Sequence, residues 1–209
     1  MSLEYPKIQS IYKRDEKGHQ FLEGQWSMPE FEYLKDLKWE GTEKIDGTNI
    51  RVGWDTGIVT FGGHTDEAQI PPFLVKKLQE IFTPDRMKAK FGVVPVTLYG
   101  EGYGAKIQSG GIYIPNGCGF ILFDSIIDQW WLKRDSLEDI ASKLDLPIVP
   151  IMGYYKLEEA VELARKKLII SKIRPDGGLA EGLVLKPMVE LRNRNGHRLI
   201  TKIKHKDFR

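Results

Sequence analysis

The sequence predicts an α+β fold of mostly antiparallel sheets with flanking helices. Three observations predict it: short β-type runs outnumber helical ones, the two kinds follow no regular alternation, and two pairs of runs are joined by tight turn signals. Asn49–Trp54 and Ile58–Phe61 flank Asp55-Thr56-Gly57 and make the first hairpin. After Pro71-Pro72, the residues Phe73, Leu74, Leu78 and Ile81 fall at helical spacing, which predicts a helix ending before Pro84. Val94–Tyr99 and Gly119–Ile127 are apolar runs of strand length. Ser136 followed by Asp139 predicts a capped helix through Leu144, and Pro147–Met152 is strand-like. Leu157, Val161, Ala164 and Leu168 form one stripe, so Leu157–Leu168 is a helix. Gly182–Lys186 and Leu199–Lys204 are strands, with Asn195-Gly196 marking the turn of the second hairpin.

Composition narrows the class. The chain has 209 residues, 41% hydrophobic and 29% charged, which excludes bulk disorder. No repeat, low-complexity stretch or Ser/Gly linker interrupts it, so a single domain over 1–209 is expected. Cys118 is the one cysteine, and His19, His64, His197 and His205 show no HxxxH spacing, so a multi-cysteine zinc site and a zinc-protease helix are both excluded. No eighteen-residue apolar run occurs, and MSLEYPKIQS lacks the pattern of a secretion signal. A cytoplasmic protein with no membrane partner is expected. The net charge is +2, but Arg192–Arg209 carries seven Lys/Arg against Asp207 alone. That segment would attract polyanions through its local field.

Five segments carry candidate chemistry. Lys44-Ile45-Asp46-Gly47-Thr48-Asn49 precedes a strand, and in an extended chain Lys44 and Asp46 project to the same side. A lysine amine is a nucleophile only when deprotonated, so neighbouring cations or desolvation must lower its ordinary pKa of ~10.4. The bland reading is a surface lysine entering a turn, since K-x-D-G arises by chance about once in twenty such chains at average residue usage.

Leu98-Tyr99-Gly100-Glu101-Gly102-Tyr103-Gly104 has the wrong glycine spacing for a dinucleotide fold, and no helix pattern follows it. It reads as a strand ending in a glycine-lined cleft with Glu101 aimed at a ligand hydroxyl, or else as a bulge with a solvated glutamate. In Phe120-Ile121-Leu122-Phe123-Asp124, Phe123 either stacks on a base or fills the core. Glu181-Gly182-Leu183-Val184-Leu185-Lys186 embeds charges in an apolar strand, where they need partners. Thr201-Lys202-Ile203-Lys204-His205-Lys206 alternates so that Lys202, Lys204 and Lys206 line one face, suited to a phosphate chain or to protecting a sheet edge. Trp130 and Trp131 are neighbours in a strand, so at least one belongs to the core.

Taken in order, these segments resemble the motifs of the covalent nucleotidyltransferases, a group of ATP-dependent RNA and DNA ligases and mRNA-capping guanylyltransferases. KIDG is similar to their nucleophile motif, YGE and FILFD to the next two, EGLVLK and TKIK to the last two. The resemblance spans about Lys44 to Lys204 and is greatest to the phage-type RNA ligases. It implies a ligase-type nucleotidyltransferase fold with a nucleotide cleft.

The resemblance also implies roles. Lys44 would attack the α-phosphate of ATP and form a lysyl-adenylate, Glu101 would hold the ribose, and Phe123 would cover the adenine. Glu181 would engage a catalytic Mg2+ (or Mn2+), and Lys202 and Lys204 would grip the α-phosphate. AMP would pass to a 5′-phosphate of nucleic acid, RNA ends or nicks, for joining to a 3′-hydroxyl. Phosphoryl transfer depends chiefly on positioning and charge neutralisation, which a metal and fixed lysines supply. The same cations would depress the pKa of Lys44.

Two departures from the resembled pattern stand out. The family's arginine after the nucleophile strand is expected where Phe61-Gly62-Gly63-His64-Thr65 reads His64, and imidazole lacks the guanidinium's fixed charge and fork. The chain stops five residues after Lys204, so neither an oligonucleotide-binding barrel nor another C-terminal domain is expected. A partner protein supplying substrate binding is compatible with that. Two alternatives stay open: a capping-type guanylyltransferase, and a non-catalytic RNA-binding module on the same fold.

Overall fold

The structure, a computed structural model, describes residues 3–17 and 20–208; Met1, Ser2, His19 and the terminal Arg209 of the basic segment lie outside the described residues. In chain order the strands are β1 (Gln9–Ser10), β2 (Tyr12–Arg14), β3 (Phe21–Trp26), β4 (Trp39–Lys44), β5 (Thr48–Asp55) and β6 (Ile58–Gly62). They continue with β7 (Val96–Gly104), β8 (Cys118–Ile127), β9 (Trp130–Trp131), β10 (Ile151–Tyr155), β11 (Gly182–Pro187) and β12 (Thr201–Lys204). The helices are α1 (Pro29–Tyr33), α2 (Pro72–Ile81), α3 (Pro84–Phe91), α4 (Arg134–Lys143) and α5 (Leu157–Arg165).

The chain divides into two compact units, one of Met1–Tyr5 with Asp46–Val149, the other of Pro6–Ile45 with Pro150–Arg209. In the first unit, which we term the central unit, five strands pair in the order β6-β5-β7-β8-β9, all antiparallel. One face of that sheet carries Ile50, Val52, Trp54, Leu98, Phe120 and Leu122, which pack with Leu74 and Leu78 of α2, Met87 of α3 and Ile140 of α4. The glycines of the YGEGYG segment serve this core. A Cβ on Gly100 would lie 2.2 Å from the Phe120 ring, and one on Gly102 would lie 2.6 Å from Leu74. Gly100 and Gly102 admit core side chains and do not line a cleft, which corrects that expectation for them, while Gly104 takes a left-handed φ of 124° against the Gly117 and Cys118 backbone.

The second unit, the flanking unit, holds the sheet β1-β12-β11-β4-β10 and the separate ribbon β2-β3. Its pairings are antiparallel except β1 with β12, which is parallel. Leu183, Leu185 and Ile203 face a core built with Trp39, Leu157, Ala160, Val161 and Ala164. The opposite face carries the polar residues of β4, β11 and β12, because side chains alternate.

The mixed, largely antiparallel architecture agrees with the expected α+β class, and the differences are local. The sequence pattern predicts no helix at α3, because Pro84 reads as a stop. Proline at the first helical position also starts helices, and here the Thr83 side chain accepts the Arg86 N–H. α4 begins after Lys133 with no side-chain cap, so Ser136 is a third helical residue and not the cap. α5 ends at Arg165, two residues before Lys167 takes a left-handed φ of 55°, and Leu168 stays exposed. Pro147–Met152 is not one strand: Val149 donates to Leu122 in the central unit, and after Pro150 the chain enters β10 of the flanking unit. The Asn195-Gly196 turn lies as expected, with Gly196 at φ 78°. Trp131 packs edge-on against Tyr5 while Trp130 is exposed.

Candidate functional site

The flanking unit brings four of the singled-out residues to one sheet face. Register places Gly182 opposite both Lys44 on β4 and Lys204 on β12, so the two lysines straddle the first residue of β11. Residues directly opposite in a sheet share a face. A Cβ on Gly182 would lie 1.9 Å from the Ile203 carbonyl oxygen, so only glycine lets the strands close here. Lys202, two residues before Lys204, shares that face.

Glu181 sits just ahead of β11 and joins the two flanking amines. Its Oε2 lies 2.7 Å from Lys44 Nζ and its Oε1 2.5 Å from Lys204 Nζ, with the carboxylate only 11% exposed. Burial pushes the Glu181 carboxyl up, but Lys44 and Lys204 together outweigh it and hold it below its ordinary value. Lys202 makes no ion pair among the described residues. Burial pushes its amine down, and Lys204 and Lys44 add to the effect. Two ammonium groups thus share one carboxylate, with Lys202 on the same sheet face.

The end of β12 is clasped from beyond the strand. Asp207, in the 3₁₀ turn His205–Phe208, accepts the Lys204 backbone N–H at 2.9 Å and an Arg14 N–H at 2.7 Å. That turn breaks the period-two alternation, so Lys206 leaves the row of Lys202 and Lys204, against expectation. Likewise β4 stops at Lys44 and a bend carries Asp46, so the expected extended Lys44–Asp46 alternation does not form. Glu43, on the core face beside Lys44, is 1% exposed; it accepts the Ser171 hydroxyl and the Lys172 N–H.

The central unit presents its own set on the sheet face opposite its core. Asn49 on β5 and Glu101 on β7 are register partners, and Glu101 lies opposite Ile121 on β8. The β7–β8 register shifts after Tyr99, so that Phe123 is the extra residue of a bulge. The bulge lets Phe123 and Asp124, sequence neighbours, both reach Tyr5. The Phe123 ring meets Tyr5 at 5.1 Å, and the Tyr5 hydroxyl donates to Asp124 at 2.8 Å. Phe123 is half-buried, whereas Phe120 is the core aromatic of its segment. Asn49 Oδ1 is buried with no hydrogen-bond partner, an acceptor whose donor the described residues do not supply.

His64 is exposed in the loop after β6. The arginine serving this loop is Arg51 on β5, 2% exposed, which donates to the Gly63 carbonyl at 2.7 Å and pairs with Asp66. Sequence reasoning missed both Arg51 and Asn49. The available signal was a charge inside the apolar run Asn49–Trp54, which must find a partner when buried.

No group of three or more His, Cys, Asp or Glu suited to a metal occurs among the described residues. Glu181 is a single hard oxygen donor, which fits an ion such as Mg2+ that keeps most of its water.

No curated protein matches the chain. Solved structures do match. Naegleria gruberi RNA ligase as a lysine-to-alanine mutant with ATP and Mn aligns with TM-score 0.66 and 20% identity over 98% of this chain and 60% of that one. The same ligase with PPi aligns with TM-score 0.65 and 20% identity, over 96% and 57%. A second lysine-to-alanine mutant with ATP and Mn aligns at 0.64 and 20%, over 86% and 54%. The chain therefore spans under two thirds of the length of those ligases, and at such identity the likeness shows a shared fold. The RNA ligase family model matches residues 37–204, from ahead of β4 to the last residue of β12. That stretch contains Lys44, Glu181, Lys202 and Lys204, and the chain belongs to the RNA ligase family.

Proposed function

We propose that the protein is an ATP-dependent RNA ligase, a cytoplasmic repair enzyme that carries an adenylated lysine. The observation that carries this reading is the cluster of Lys44, Lys202 and Lys204 around Glu181 on one sheet face. Polyphosphate is the chemical partner such an arrangement calls for, because an excess of ammonium groups is costly to assemble without an anion. The Naegleria ligase structures include one with ATP and Mn and one with PPi, which supports ATP as the substrate here.

In the proposed reaction, Lys44 Nζ leaves its pair with Glu181, gives a proton to solvent, attacks the α-phosphorus of ATP and sheds a second proton to solvent as the phosphoramidate forms. A P–N bond forms, the bond from the α-phosphorus to the bridging oxygen breaks, and pyrophosphate departs. Lys202 and Lys204 neutralise charge on the phosphate oxygens as it builds, which fixed point charges do without reorganising. Glu181 would hold Mg2+ or Mn2+ through the carboxylate and its water shell, where a divalent ion offsets phosphate charge.

On the central unit, Glu101 would bind a ribose hydroxyl and the half-buried Phe123 would stack on the adenine. The unpartnered Asn49 Oδ1 would accept a hydrogen bond from the bound nucleotide or its water. Transfer of AMP to the 5′-phosphate of RNA follows, and a 3′-hydroxyl then displaces AMP to seal the strand. Incubation with ATP radiolabelled in the α-phosphate and Mg2+ tests the reading. The wild type should become labelled and Lys44→Ala should not; a mutant that still carries label overturns it.

A further inference from the structure

We infer that the hairpin between β11 and β12 is a docking surface for the phosphodiester backbone of the RNA strand, gripped by Arg192 and Arg194 several nucleotides from the chemistry. The inference rests on the ligase reading and names where its substrate lies.

The hairpin is rigidly built. Asn193 N–H donates to the His197 carbonyl, Gly196 N–H donates to the Asn193 carbonyl, and Asn193 Oδ1 accepts the N–H groups of Asn195 and His197. Leu199 N–H donates to the Leu191 carbonyl, and Leu191 packs on the flanking unit's core.

Its charge is arranged for an outside partner. The only acid of the hairpin, Glu190, is taken by Arg198, which is nearly buried and engages both carboxylate oxygens, at 2.5 and 2.8 Å. Arg192 and Arg194 are exposed and have no ion pair among the described residues. Two guanidinium groups on a pre-ordered turn, with the local acid consumed, present forks that match phosphate oxygens. Met188 and Val189, exposed at the foot of the hairpin just after β11, offer an apolar surface to a base or sugar.

Position sets the reach. Glu181 stands at the start of β11 and the hairpin begins at its other end, six residues on. At ~3.3 Å per residue that is about 20 Å. Even at the ~3.4 Å per nucleotide of a B-form DNA strand, covering this takes roughly six nucleotides. Arginines at the hairpin therefore see a long substrate and not a short one.

The experiment compares the wild type with the Arg192→Ala/Arg194→Ala variant on 5′-phosphorylated RNA of three and twelve nucleotides. Both proteins should accept label from ATP equally. Binding of the 12-mer by the variant should lose about 1.4–1.8 from the slope of log affinity against log salt, at ~0.7–0.9 per phosphate contact. A fourfold rise in salt then weakens the variant about tenfold less than the wild type. Binding of the 3-mer should not change, and Arg192→Lys/Arg194→Lys should keep the wild-type slope. An unchanged slope or an equal loss on both lengths overturns the inference. Failure of the wild type to accept label instead removes the ligase reading, and the salt slope still reports on the hairpin.

Discussion

The Nζ of Lys44 lies 2.7 Å from Oε2 of Glu181, so the proposed nucleophile rests in an ion pair with the proposed metal ligand. The carboxylate is shared with Lys204, and the two amines hold it below the ordinary carboxylate value. A carboxyl with a depressed folded pKa stabilises the fold fully above its unfolded value, and that stability fades as pH falls through the folded one. Urea midpoints of the wild type should therefore decline below about pH 4.5 in part through this group. Glu181→Gln should flatten that segment of the profile and lower stability at pH 7; a mutant curve parallel to the wild type across pH 2–6 would remove Glu181 from the account.

Lys202 shows the reverse economy. Its amine is depressed by burial and by Lys204 and Lys44, so the charged form is disfavoured in the fold. Between the lowered folded pKa and the ordinary 10.5, the unfolded chain binds more protons, and stability rises with pH in that window. Lys202→Met should raise stability at neutral pH by roughly 0.5–2 kcal/mol, as relief of strained function commonly does, while abolishing adenylylation. A mutant less stable than the wild type in calorimetry would contradict this.

Gly182 is the hinge of the lysine arrangement, because Lys44 and Lys204 both pair across it. Gly182→Ala drives a methyl into the Ile203 carbonyl, and the strands must part. We expect a loss of about 1–3 kcal/mol in stability, typical of overpacking, and a larger loss of label transfer than of stability. Denaturation and labelling on the same preparation check it, and a stable, fully active alanine variant is the contrary result.

His64 stands where an arginine is expected from the resembling ligases. An imidazole loses its charge across the neutral range and a guanidinium does not. His64→Arg should therefore raise the adenylylation rate, with the gain growing above neutral pH. A mutant whose rate follows the wild-type pH curve would leave His64 without a phosphate role.

Much of the lysine cluster was legible because it depends on strand register and alternation. Lys202 and Lys204 are two apart on a strand, and Lys44 and Glu181 each sit at the end of one. What stayed hidden depends on contacts between distant positions. Arg14 and Asp207, 193 residues apart, meet only in the folded unit, and their clasp takes Lys206 out of its row. Gly100 looks like a ligand-facing glycine until the Phe120 ring occupies the space its missing side chain leaves. α3 was hidden because Thr83-Pro84 ends one helix and begins the next. Arg51 was hidden because its partners, Gly63 and Asp66, lie on a loop the sequence leaves unplaced.

The parallel pairing of β1 with β12 has a practical corollary. Trimming the protein to residues 37–204, the span that matches the family, would strip away Gln9–Ser10 and Asp207 together. β12 would then offer its bare backbone donors and acceptors to any passing copy, and such a fragment should cloud on concentration where the intact chain stays clear. The two-residue strand β1 thus guards the very strand that bears Lys202 and Lys204.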